Sequence, residues 1–201
     1  MTVSDVAVDK RVSPLALWRT EFNALPAGVK VKELPFLTQL SLRVDPESAA
    51  VAAVSDALGV TLPAEPCTSA VAGDVTVLWF GPDEWLVVTP AEDGALERSL
   101  KDAVQGQGAV VDVSAQRTTI SLTGARARDL LAHGCSIDLH PRVNTAGTCV
   151  QTHLAKAGVA LWTRDDTATD YWVIVRTSFA DYLAHWLVDA CVTHRQDPLW
   201  Q

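Results

Sequence analysis

The stretch VTVLWFGPDEWLVVT, residues 75–89, predicts a β-hairpin. Its two apolar runs flank residues 81–84, Gly-Pro-Asp-Glu, and Gly, Pro and Asp are residue types that favour a tight turn between strands. Upstream, residues 36–44 alternate apolar and polar side chains, which indicates a half-buried strand. Residues 45–59 lie between that strand and the hairpin. They begin with Asp-Pro, carry an apolar stripe at helical spacing and end at glycine, a pattern typical of a helix.

A second helix and a further strand complete this half of the fold. Thr89 and Glu92 have the spacing of a capping box, and the apolar residues that follow recur at helical intervals up to Val104. Residues 109–113 are a short apolar run that predicts a strand. The predicted order over residues 36–114 is therefore β-α-β-β-α-β.

Nearly the same order of elements returns in residues 115–195. Three short matches recur in sequence: Leu40-Ser-Leu42 with Ile120-Ser-Leu122, Val77-Leu-Trp79 with Ala160-Leu-Trp162, and Trp85-Leu-Val-Val88 with Trp172-Val-Ile-Val175. A closing helix is predicted from Ser178 and Asp181, which have capping-box spacing, and from an apolar stripe: Phe179, Tyr182, Leu183, Trp186, Leu187, Ala190 and Cys191. We therefore predict an α+β fold with two ferredoxin-like halves. In each half the order β-α-β-β-α recurs, and an antiparallel sheet carries its helices on one face.

The first 35 residues differ from these halves and are predicted to form an N-terminal arm with a short helix. Ser13-Pro14 is a helix start, and Pro26 is a helix end. Between them, apolar residues recur at three- and four-residue steps: Leu15, Trp18, Phe22 and Leu25. Such a one-sided helix packs either on its own domain or in a groove of another subunit, and the sequence leaves both open. Because Trp is enriched at interfaces, these four residues and Trp200 are interpreted as a possible partner interface. The predicted organisation is an arm (1–35), a first half (36–114), a second half (115–195) and a tail (196–201).

The composition indicates a folded protein that binds neither nucleic acid nor membranes. The chain has 201 residues, 48% of them hydrophobic and 20% charged, and its formal net charge is −8. Nucleic-acid binding requires a Lys/Arg surface that displaces counterions, and the sequence has no basic run. No apolar run reaches the length of a membrane span, and the first residues, MTVSDV, lack the features of a signal peptide. The sequence therefore predicts a cytoplasmic protein.

The sequence contains none of the motifs that would carry catalysis. No glycine-rich turn joins a strand to a helix, so no loop for a nucleotide phosphate is predicted, and there is no nucleophile elbow. The acidic pairs Asp83-Glu84 and Asp165-Asp166 fall in predicted turns. Asp112, Ser114 and Asp138 are interpreted as hydrogen-bonding partners of nearby backbone groups. We predict no catalytic residue and no cofactor-binding residue in this chain.

The cysteines and histidines do not have the spacing of a metal site. Four cysteines are scattered along the chain: Cys67, Cys135, Cys149 and Cys191. Zinc sites usually show close Cys pairs or two His residues one helical turn apart, and neither pattern is present. The nearest approach to a ligand set is His133, Cys135, His140, Cys149 and His153. We predict four reduced thiols and no bound metal.

Several motifs together resemble the gamma subunit of heterotetrameric sarcosine oxidase. They are Phe80-Gly-Pro-Asp-Glu-Trp-Leu86, Asp112-Val-Ser114, Ile120-Ser-Leu-Thr-Gly124, Leu130-Leu131, Cys135-Ser-Ile-Asp-Leu-His-Pro141 and Arg176-Thr-Ser-Phe-Ala-Asp-Tyr182. Their order and spacing carry the resemblance, which runs from about Phe36 to Ala190. This family is itself similar to the folate-binding half of the glycine cleavage T-protein, which implies the two-half α+β architecture.

The resemblance implies that the chain is a non-catalytic partner of alpha, beta and delta subunits. The implied complex oxidatively demethylates sarcosine to glycine, with tetrahydrofolate as one-carbon acceptor and hydrogen peroxide as product. The partner subunits are implied to hold FAD, FMN, NAD and tetrahydrofolate, with zinc where it is present. Sarcosine and dimethylglycine oxidising systems share these parts, so the sequence leaves the substrate of the complex open. It also leaves open which surface meets which subunit.

One segment departs from the T-protein pattern. Aminomethyltransferases of that type carry a Gly-Gly-hydrophobic-hydrophobic-Asp-Asp segment, whose carboxylate works beside the folate nitrogen. The matching residues 157–162 are Ala-Gly-Val-Ala-Leu-Trp. Apolar residues stand where the carboxylates are expected, which argues against folate chemistry in this chain. The alternatives to the subunit interpretation are a stand-alone, folate-binding, T-protein-like one-carbon transferase and a folate-binding accessory protein.

Overall fold

The computed structural model describes residues 11–90 and 94–192, which form two antiparallel sheets and the helices that pack on them. The strands are β1 (Lys30–Leu34), β2 (Thr38–Val44), β3 (Ser69–Ala72), β4 (Val75–Gly81), β5 (Glu84–Thr89), β6 (Gly108–Asp112), β7 (Arg117–Thr123), β8 (Cys149–Leu154), β9 (Ala157–Thr163) and β10 (Asp170–Arg176). The α-helices are α1 (Arg19–Asn23), α2 (Ala50–Leu58), α3 (Gly94–Val104), α4 (Ala127–Ala132) and α5 (Thr177–Val192). Short 3-10 turns, Ala16–Trp18 and Ser114–Gln116, precede α1 and β7.

The two sheets have the same strand order. The first sheet runs β3-β4-β5-β2-β6 and the second runs β8-β9-β10-β7-β1, with antiparallel neighbours throughout. The repeated tryptophans form a cross-strand pair in each sheet, Trp85 opposite Trp79 and Trp172 opposite Trp162. The first pair packs toward the helices, whereas the second packs between the two sheets. This arrangement confirms the predicted α+β class with two antiparallel halves. It also adds β1 and β3, which the sequence pattern did not predict.

The N-terminal segment belongs to the second half. β1 pairs along its whole length with β7, from Lys30 opposite Thr123 to Leu34 opposite Thr119. It takes the place in the second sheet that β6 takes in the first. The predicted separation of an arm at residue 35 is therefore corrected, because strand pairing and the burial of Val31 join this segment to the second core. Residues 1–10 of the predicted arm and the predicted tail, 196–201, lie outside the described residues.

Three apolar clusters hold four layers together. The first lies between the first sheet and helices α2 and α3, and the second lies between the second sheet and helices α1, α4 and α5. The third lies between the two sheets and contains Leu78, Leu86, Val88, Val113, Cys149, Ala160, Trp162 and Ile174. The Trp162 ring packs edge-on against Trp172, with centroids 5.1 Å apart, and its indole N–H donates to the Ser69 hydroxyl at 2.9 Å. The two halves are thus joined by their sheets, with the helices on the outside.

The closing helix α5 buries only part of the predicted stripe: Leu183, Leu187 and Cys191 are buried as predicted, whereas Ala180 and Ala184 replace Phe179 and Tyr182. Its buried residues are Ala180, Leu183, Ala184, Leu187 and Cys191. Phe179 and Tyr182, predicted to face the core, are 41% and 37% exposed. Asp181, predicted to cap the helix, instead accepts a hydrogen bond at 2.9 Å from the indole N–H of Trp18. No helix among the described residues is both long and apolar enough to cross a membrane.

Candidate functional site

The acidic pair at residues 165–166 stabilises its own loop. The Asp165 carboxylate accepts hydrogen bonds from the hydroxyls of Thr167 and Thr169 and from the N–H groups of Thr169 and Asp170. Partial burial alone would raise the pKa of Asp165, but these hydrogen bonds favour the charged form more strongly, and its pKa lies below the usual value. Asp166 accepts a backbone N–H bond at 2.9 Å. Both carboxylates therefore stabilise loop backbone by hydrogen bonds, and their arrangement does not indicate an acid/base pair.

The other polar residues singled out by the sequence also have local partners. The Asp112 carboxylate accepts hydrogen bonds from the N–H of Ser114 at 2.8 Å and from its hydroxyl at 2.5 Å. β6 ends at Asp112, and the 3-10 turn that follows holds Ser114 within hydrogen-bond distance of the carboxylate. Glu84 forms an ion pair with Arg43 at 2.5 Å, and Asp138 accepts a backbone N–H at 2.9 Å.

Three of the four cysteines are buried and one is exposed. The buried ones are Cys135, Cys149 and Cys191, the exposed one is Cys67, and none of the four is in a disulfide. Within residues 11–90 and 94–192, no group of three or more His, Cys, Asp or Glu side chains could hold a metal ion. The expectation that the chain binds no zinc remains a prediction for metal analysis.

We expect one thiol of the native chain to react rapidly with Ellman's reagent at pH 8. Cys67 is exposed, whereas burial raises the pKa of Cys149 to about 12, so its reactive thiolate is scarce at that pH. Spectrophotometric titration should give one fast equivalent for the native chain and none for a Cys67→Ser variant. A second fast equivalent would contradict the burial of the other three thiols.

A groove of about 730 Å³ lies between the N-terminal segment and β1. Leu15, Phe22 and Leu25 contribute to one wall, and residues 29–33 form the other. Its charged lining residues are Arg19, Lys30, Lys32 and Glu33. The Glu33 carboxylate accepts hydrogen bonds from the hydroxyls of Ser13 and Thr118 and from the N–H of Leu15, so it is already engaged within the chain. The groove is therefore cationic on an acidic protein.

The structure separates the residues of the predicted partner interface. Leu15 and Phe22 are 2% and 5% exposed and belong to the chain's own second core, so a partner cannot cover them as predicted. Trp18 and Leu25 are partly buried against the same core. Trp200 lies outside the described residues. The physical reason for the correction is that β1 pairs with β7, which returns this segment to the second sheet and places Leu15 and Phe22 in the second core.

Sequence reasoning missed the cations of the groove. Lys30 and Lys32 alternate with Val29 and Val31, and this alternation is the signal that could have predicted β1. Both lysines are exposed, and neither forms an ion pair within the part of the chain that the structure describes.

Comparison with known proteins covers most of this fold. The sarcosine oxidase, gamma subunit family matches residues 43–193, which is more than half of the chain. The chain belongs to this family. A relative named sarcosine oxidase subunit gamma, from Corynebacterium sp. strain U-96, is 41% identical over 168 residues. That alignment covers 81% of this chain and 79% of the relative, so the resemblance stated from the motifs is confirmed.

A solved structure of an oxidase contains a chain with the same fold. It is the heterotetrameric sarcosine oxidase from Corynebacterium sp. U-96 in complex with pyrrole 2-carboxylate. The two chains superpose with a TM-score of 0.85 and 38% identity, covering 91% of this chain and 95% of that one. The sarcosine oxidase gamma family fold therefore accounts for the described residues almost from end to end.

A more distant likeness explains the two-half architecture. The aminomethyltransferase T of the glycine cleavage system from Bartonella henselae has a TM-score of 0.61 at 14% identity, which shows a shared fold. The match covers 85% of this chain and 48% of that one. In this gamma family member, residues 157–162 lie in β9 as Ala-Gly-Val-Ala-Leu-Trp, with Trp162 buried between the sheets. The segment is part of the core, with no carboxylate.

Proposed function

We propose that the chain is the gamma subunit of a heterotetrameric sarcosine oxidase and acts in the cytoplasm as a non-catalytic partner. The observation that supports this most strongly is the 38% identity and 0.85 TM-score with a chain of such an enzyme, over nearly the full length of both. The acidic residues that could have acted in catalysis stabilise turns instead. A role in assembly is consistent with both observations.

The complex we propose has alpha, beta and delta subunits beside this one. It demethylates sarcosine, or dimethylglycine, oxidatively, with tetrahydrofolate as one-carbon acceptor and hydrogen peroxide as product. FAD, FMN, NAD and tetrahydrofolate are held by the partner subunits in this proposal, as is zinc where it occurs. The apolar segment at residues 157–162 supports this division of labour, because the position that carries carboxylates in T-protein enzymes is core here.

Affinity purification of the tagged chain from its native host tests the proposal. We expect it to recover three further subunits and oxygen-dependent oxidation of sarcosine or dimethylglycine. Recovery of the chain alone, from cells grown on sarcosine, would contradict a role as an obligate subunit.

The isolated chain is expected to carry no cofactor. The sequence has no glycine-rich turn of the phosphate-binding type between a strand and a helix, and no zinc-ligand spacing. The purified chain should therefore show no flavin absorbance, no saturable NAD binding and no zinc by elemental analysis. The purified complex serves as the positive control for flavin. Flavin bound to the isolated chain near one equivalent would show that the chain takes part in the redox chemistry directly.

A further inference from the structure

The groove beside β1 follows an open sheet edge. β1 is the last strand of the second sheet and, among the described residues, pairs only with β7. Residues 29–33 all line the groove, although successive side chains of a strand point to opposite faces of a sheet. A groove lined by every residue in turn lies along the edge of the strand rather than over either face. Backbone N–H and C=O groups that point away from β7 are therefore available to another extended chain.

The charge of the groove indicates what kind of polypeptide can bind beside β1. Arg19, Lys30 and Lys32 line it against the single carboxylate of Glu33, whose oxygens already accept three hydrogen bonds. The whole chain has a formal charge of −8, so this concentration of positive charge is local. Lys30 and Lys32 are two residues apart on β1 and lie on one face, while Val31 lies on the other face, in the second core.

We infer that β1 is extended by a strand from a partner subunit, and that this strand carries acidic side chains two residues apart. The inference rests on the proposed function, since it needs a partner polypeptide. The five residues of β1 accommodate a partner strand of about five residues, roughly 17 Å long. Carboxylates at alternate positions lie beside Lys30 and Lys32, and the residue between them is apolar and faces the wall that contains Leu25.

The equivalent edge of the first sheet lacks this combination. β6 takes the equivalent place in the first sheet, but its residues are Gly-Ala-Val-Val-Asp, with a carboxylate and no cation. An acidic strand is repelled there and attracted to β1. The difference between two otherwise equivalent edges is what directs the partner to one half of the chain.

The test is the affinity of the purified chain for the remaining subunits of the oxidase, measured with the Lys30→Glu/Lys32→Glu variant. Both lysines are exposed, so the variant should keep the melting temperature of the native chain. We expect its affinity to fall at least tenfold, because two attractive pairs become repulsive. An Arg142→Glu/Lys156→Glu variant is the matched control, since it makes the same change of charge at exposed positions away from β1 and should bind normally.

Amide hydrogen exchange separates strand addition from a purely electrostatic effect. The β1 amides that point away from β7 should exchange at least tenfold more slowly in the complex than in the chain alone. Equal affinity of the two double variants, or unchanged exchange at β1, would overturn the inference. So would protection, in the chain alone, of the β1 amides that point away from β7, which would mean that its own residues or a second copy fill the groove. If the native chain binds no other subunit, the proposed function falls with the inference; if it binds and β1 is unaffected, only the inference falls.

Discussion

Replacing Phe22 with alanine is expected to lower the free energy of unfolding of the isolated chain by about 3–5 kcal/mol. The side chain is 5% exposed and packs in the second core with residues of α5 and of the second sheet. Truncation removes buried apolar surface and leaves a cavity, because the surrounding strands relax only partly. Urea denaturation followed by circular dichroism measures the change.

The control for this prediction lies in the same segment. Leu17 is 90% exposed, so Leu17→Ala should change the free energy of unfolding by no more than about 0.5 kcal/mol. Trp18 is intermediate in exposure between these two residues. Its indole N–H donates to Asp181, and its ring centroid lies 4.2 Å from that of His185. If Phe22→Ala leaves stability unchanged and weakens only the assembly, the segment docks on a partner and not on its own core.

Replacing Gly124 with alanine is expected to destabilise the chain by roughly 3–5 kcal/mol, the sum of strained backbone and overpacking. Gly124 follows β7 with a φ of +121°, which residues with a side chain rarely adopt. A Cβ there would also lie 2.3 Å from the carbonyl oxygen of Gly28. The clash is with backbone, so it cannot be relieved by rotating a side chain, and it falls where the N-terminal segment meets the second sheet.

Gly73→Ala is the matched control for this substitution. Gly73 also has positive φ, +55°, but a Cβ there meets nothing within 4 Å. Its cost should therefore be limited to the backbone term, about 1 kcal/mol. Thermal unfolding of both variants measures the difference. Equal losses of stability would show that the close approach to Gly28 is relieved at little cost.

The regular part of the fold could be predicted because its signals are local. Two apolar runs and a Gly-Pro-Asp turn predict the hairpin at residues 75–89. The second hairpin, at residues 157–176, also has one tryptophan in each strand. Period-two alternation depends only on which face of the sheet each side chain takes. It can therefore be read from the sequence of one strand alone, whichever strands pair with it. These segments fixed the α+β class and the antiparallel pairing.

The N-terminal segment could not be placed in the same way, because its role depends on distant partners. Leu15 and Phe22 have the same spacing whether they cover their own core or a partner's groove, and only the pairing of β1 with β7 decides between the two. Asp181 is a similar case. Its spacing from Ser178 is that of a capping box, yet its carboxylate accepts a hydrogen bond from the indole of Trp18, which lies 163 residues away in sequence.

The pairing of β1 with β7 has a consequence for the order in which the chain acquires structure during synthesis. The second sheet is built from residues near both ends of the described chain, and the whole first half is nested between two of its adjacent strands. The first half is contiguous, so it can fold on the ribosome once residue 112 has emerged. β1 is translated first but has no sheet to join until β7 to β10 are complete, so it waits as an unpaired segment through most of translation. A ribosome that stalls before residue 176 therefore holds a folded first half preceded by an unpaired β1 segment, Lys30–Leu34.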